Sequence, residues 1–68
     1  NNMKKCVIEN YGEGYNRIYE EFTDEQFNFL NNLFNEINHS PYSESYAPWI
    51  SIKEAEGYEL KMFGNNDN

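Results

Sequence analysis

The sequence predicts an α+β fold of order β-β-α-β-β, one helix packed on a small antiparallel sheet of three to four strands. Three observations lead there. Apolar residues recur at steps of three and four over one stretch near the middle of the chain, as a helix with one buried face requires. On either side, runs rich in β-branched and aromatic residues are each broken by a short glycine-bearing segment. The chain has 68 residues, enough for one domain, and a domain of that size buries only about 60% of the surface its unfolded form exposes.

The first hairpin is expected from Lys5 to Tyr11 and Tyr15 to Phe22, joined by Gly12, Glu13 and Gly14. Cys6 and Ile8 point to one side of it, and Val7, Glu9 and Tyr11 to the other. Ile8, Ile18 and Phe22 are assigned to the helix side. The helix is expected over 24–38. Thr23 stands where it can cap the free N–H groups of the first turn, and Gln26 is the second member of a capping box. Phe22 can reach Phe27 as a hydrophobic staple, and Asp24 and Glu25 meet the positive end of the helix dipole. Phe27, Leu30, Phe34 and Ile37 form the apolar stripe, with Leu33 beside them. Asn38 and Pro41 end it.

A second hairpin is expected from Trp49 to Glu54 and Tyr58 to Phe63, turning at Ala55, Glu56 and Gly57 with Gly57 in a left-handed position. Ile50, Ile52, Leu60 and Met62 would then face inward, and Trp49, Ser51, Lys53, Glu59, Lys61 and Phe63 outward. The whole of 1–68 reads as a single domain. Asn1 and Asn2 ahead of Met3 look like a cloning remnant, and Gly64 to Asn68 looks like a flexible tail.

Composition excludes several functions. Twelve acidic residues against five basic ones give a formal net charge of −7, which disfavours direct contact with nucleic acid or an anionic membrane surface. Apolar runs are far too short to span a bilayer. One cysteine, Cys6, cannot form an internal disulfide, and together with the absence of a secretory pattern it points to the cytoplasm. Half of the residues are types written by AT-rich codons, which points to a low-GC bacterium or its phage as the source.

No motif supports catalysis or a cofactor. Cys6 reads as a small buried hydrophobe, and His39, the only histidine, reads as a helix-end residue rather than a base. Structural zinc requires four Cys or His ligands, and the chain has two. Asn65, Asn66, Asp67 and Asn68 carry oxygens without the closing Glu of a calcium loop. Glu9, Glu20 and Glu21 could pair for acid–base work, but one helix on one sheet offers no sugar-sized cleft. Gly12, Glu13 and Gly14 have no helix after them and carry a carboxylate where a phosphate would sit. The chain is therefore read as no enzyme, with no cofactor and no metal.

The aromatic residues point instead to binding. Tyr11, Tyr15 and Tyr19 fall on one face of the first hairpin with Arg17 between the last two. A helix on the opposite face would leave them on an open sheet surface with Trp49 and Phe63. The segment 40–48, with Tyr42, Glu44 and Tyr46 between two prolines, offers a second adhesive surface. Aromatic surfaces poor in lysine are enriched at protein interfaces. Small chains without disulfide or metal often gain stability by self-association, so a homodimer is expected.

In size, acidity, low-GC composition and α+β build, the chain resembles small acidic phage-encoded inhibitors such as the uracil-DNA glycosylase inhibitors and many anti-CRISPR proteins, with no shared motif. That resemblance implies an anti-defence protein that binds and inhibits a host protein with a basic surface, a nucleic-acid-handling or defence enzyme, by occlusion or as a DNA mimic. The residues expected to meet the partner are Tyr11, Tyr15, Tyr19, Glu20, Glu21, Tyr42, Glu44, Tyr46 and Trp49. The alternative is a self-associating structural or assembly module.

Overall fold

The computed structural model of the chain describes residues 2–12, 14–41 and 49–64. Strand β1 runs over Met3–Asn10 and β2 over Asn16–Thr23, followed at once by helix α1, Asp24–Asn38. Strand β3 covers Ile50–Glu54; a 3₁₀ turn at Gly57–Leu60 and a short helix α2 at Lys61–Gly64 complete the order. The strands form one antiparallel sheet in the order β2-β1-β3. β1 is central: Ile8 pairs with Ile18 on one side and with Ile52 on the other.

Period-two patterning places Cys6, Ile8, Phe22, Ile50 and Ile52 on the face that α1 covers. There they pack with Phe27, Leu30, Phe34 and Ile37, the stripe read from the sequence. Cys6 is wholly buried within this cluster. The Thr23 side chain accepts from the Gln26 N–H at 3.1 Å, and the Gln26 side chain accepts from the Thr23 N–H at 2.9 Å. Such reciprocal capping satisfies two donors that would otherwise lack partners at the helix start, and an N-cap is worth about 1 kcal/mol. At the other end Asn38 fixes the helix to β3. Its Nδ2 donates to the Ile50 carbonyl at 2.8 Å, and its Oδ1 accepts from the Trp49 N–H at 3.2 Å.

Lys4 joins three elements on the same face. Its Nζ lies 3.6 Å from Asp24 of α1 and 3.6 Å from Glu54 of β3, and 5.6 Å from the ring centroid of Phe27. His39 closes the helix with Nδ1 2.7 Å from the Asn35 carbonyl.

The coarse architecture, α+β with a three-stranded antiparallel sheet under one helix, is as expected. The stretch 58–63 is not a fourth strand but helical turns. Leu60 and Met62, expected inside, are exposed; Glu59, expected outside, is 2% exposed. The cause lies in the turn before it. Gly57 adopts φ +60°, as expected, but the Glu56 N–H donates to Glu59 Oε1 at 3.1 Å and the Glu59 N–H to the Glu56 carbonyl at 3.1 Å. These two bonds wind the chain into a turn, so the far face of the sheet is covered rather than open. Val7 on that face is 0% exposed. Gly64, expected in a tail, ends α2, and the rest of that expected tail lies outside the described residues.

Candidate partner-binding interface

Arg17, the one arginine of the chain, organises the far face. Register places it opposite Glu9 of β1, with Tyr19 opposite Val7. Its Nη2 lies 3.1 Å from Glu9 Oε2 and 3.5 Å from Glu59 Oε2. Nη1 donates to Tyr58 Oη at 2.7 Å and to Tyr19 Oη at 3.3 Å. Nε donates to Glu9 and to the Tyr15 hydroxyl, which itself donates to Glu9 Oε2 at 2.7 Å. Lys53 of β3 closes the group with Nζ 3.1 Å from Glu59 Oε2.

Ionisation follows these contacts. The Tyr15 hydroxyl, then Arg17, hold the Glu9 carboxyl below the usual carboxylate range. The Glu56 backbone N–H, then Lys53, hold Glu59 below it too. Glu59 in turn raises Lys53, and the hydrogen bond to Glu9 raises Tyr15. The hydroxyls of Tyr58, Tyr19 and Tyr15 favour the charged form of Arg17. Every nitrogen of the guanidinium is engaged with protein oxygens, so the group acts as an internal strut and offers no free fork to a phosphate or carboxylate ligand.

Of the tyrosines expected to meet a partner, Tyr11 and Tyr15 are exposed and stack on each other with ring centroids 5.0 Å apart. Tyr19 does not lie on an open surface. It is half-buried, its ring in a T-shaped contact with Phe63 of α2 at 5.9 Å between centroids. Trp49 sits apart from Tyr19, beside the first turn. A Cβ on Gly12 would lie 3.3 Å from Trp49 Cε3, so glycine there lets the turn pass the indole. Glu20 and Glu21 are exposed on β2, and neither forms an ion pair among the described residues. Tyr42, Glu44 and Tyr46 lie outside the described residues.

The sheet brings together a surface that the sequence pattern did not single out. α1 packs more closely on β3 than on β2, which leaves the β2 side of the helix uncovered. A groove of ≈ 370 Å³ opens there, lined by Phe22, Glu25, Gln26, Phe29 and Leu30. Phe29 is 66% exposed, and Ile18, on the same face of β2, is 51% exposed. Phe29 and Leu33 are four residues apart beside the core stripe. That spacing is the sequence signal for a second apolar line on the helix.

Burial, then Glu54, pushes the Cys6 thiol up, which disfavours the reactive thiolate. Among the described residues, no group of three or more His, Cys, Asp or Glu is placed to hold a metal ion, and no helix is long and apolar enough to cross a membrane. No protein-family model, curated protein or solved structure matches this chain.

Proposed function

We propose that this chain is a non-enzymatic binding protein that occludes a basic surface of another protein, and that the α1/β2 groove is where it docks. One observation carries the reading. Phe29, more than half exposed, lines a groove that also holds Glu25, and the neighbouring edge strand β2 exposes Ile18, Glu20 and Glu21; the three carboxylates form no ion pair among the described residues. Large exposed apolar side chains grouped beside unpaired charge have the composition of an interface. The apolar groups supply buried area, while the net charge of −7 steers encounter with a positively charged target. The expected source, a low-GC bacterium or its phage, makes a nucleic-acid-handling or defence enzyme the natural class of target, inhibited by occlusion.

The test is affinity capture from a low-GC Gram-positive lysate, with and without nuclease, using the wild-type chain and Phe29→Asp. The expected result is a basic protein retained after nuclease treatment and lost with Phe29→Asp. Equal capture by both baits, or capture that disappears with nuclease, overturns the reading. Recovery of the bait alone favours the self-associating module.

A further inference from the structure

β2 is an edge strand of eight residues. Along such an edge, alternate residues present unpaired N–H and C=O groups. Two hollows flank this edge, one on each face of the sheet. The helix-side groove contains Phe22 and Phe29, and a second depression of ≈ 280 Å³ is lined by Tyr19, Glu20, Glu21, Met62 and Phe63. An extended segment laid along β2 would send successive side chains to opposite faces, and so into the two hollows in turn.

Resting on the binding reading above, we infer that the occupant is a β-strand of the partner protein that adds to β2 by backbone pairing. Its side chains are dictated by what they meet. Opposite Ile18 and Phe22 they are apolar; opposite Glu20 and Glu21 they are Lys or Arg. Read against β2, the added strand therefore carries two adjacent basic residues set between apolar ones. Main-chain bonds give such strand addition its affinity, and the alternating hollows give it selectivity.

A second copy of this chain fits the same edge poorly. Two antiparallel copies that set Ile18 against Phe22 must centre on Glu20. That places Glu20 opposite Glu20, and like charges directly opposite are destabilising. Each copy also brings a net charge of −7.

The test is selection of displayed octapeptides on the wild-type chain, followed by amide exchange by NMR with the selected synthetic peptides. The expected peptides carry adjacent basic residues flanked by apolar ones and slow exchange at alternate amides of β2. They lose about 10-fold or more in affinity for the Glu20→Lys/Glu21→Lys variant. Peptides that bind, are lost with Phe29→Asp, yet leave β2 exchange and charge reversal without effect overturn the strand addition while leaving the groove as a binding site. No enrichment over an unselected library also overturns it, and lysate capture then judges the binding reading on its own.

Discussion

Glu59 reaches across the far face of the sheet to set its carboxylate 3.1 Å from the ammonium of Lys53, with the side chain 3% exposed. The least accessible carboxylate among the described residues thus holds the C-terminal turn against β3 and Arg17.

Acid should release that turn. The carboxyls of Glu59 and Glu9 titrate below their ordinary value of 4.5 in the folded chain. Groups held low in this way stabilise the fold fully above the unfolded value, and that contribution is lost as pH falls through the lowered values. Urea midpoints should therefore hold at neutral pH and fall below about pH 4.5. Glu59→Gln should lower the midpoint at pH 7 and flatten the acid limb. An acid limb as steep as that of the wild type would remove Glu59 from this role.

Thr23→Ala should lower unfolding free energy by about 1 kcal/mol, because the Gln26 N–H loses its acceptor at the first turn of α1. Thr23→Ser should restore most of it. Urea unfolding followed by far-UV circular dichroism measures both.

Gly57 has φ +60° with nothing within 4 Å of a Cβ built on it, so the penalty of a side chain there is one of backbone alone. Gly57→Ala should cost roughly 1 kcal/mol and Gly57→Asn less, since Asn tolerates the left-handed region. Equal losses for the two would point to a steric cause instead.

Cys6 should resist thiol reagents in the native chain, since it is 0% exposed and its thiol is held protonated by burial. Labelling by a disulfide reagent should proceed at the rate of opening and rise steeply with urea. Complete reaction within mixing time in native buffer would contradict the packing of Cys6 under α1.

Where local chemistry decides conformation, the sequence was legible. Thr23 and Gln26 announce the helix start, and the stripe from Phe27 to Ile37 is the one that packs. The first hairpin lies within two residues of its expected bounds. The stretch 58–63 reads as a strand because Tyr58, Leu60 and Met62 alternate as strand residues do; the Glu56–Glu59 bonds that wind it are local, but the contacts that hold the turn on the sheet are tertiary. Glu59 needs Lys53 and Arg17, partners that no local pattern contains. Tyr11, Tyr15 and Tyr19 do share one face with Arg17, but their openness depends on where the C-terminal turn goes. The groove is hidden from the sequence for a similar reason: the lean of α1 toward β3 is a packing outcome that the spacing of Phe29 and Leu33 does not encode.

The central place of β1 also shapes how the chain comes together in time. Its pairing with β2 starts only a few residues apart in sequence, at Asn10 and Asn16, and α1 follows without a break, so these parts can form from neighbouring residues. Pairing of Ile8 with Ile52 must wait for an encounter distant along the chain, which is the slow kind. During synthesis, the hairpin and helix therefore emerge with one edge of β1 bare and Val7 uncovered. Until β3 and the turn behind it leave the ribosome, that edge and that apolar face are open to aggregation or to a chaperone.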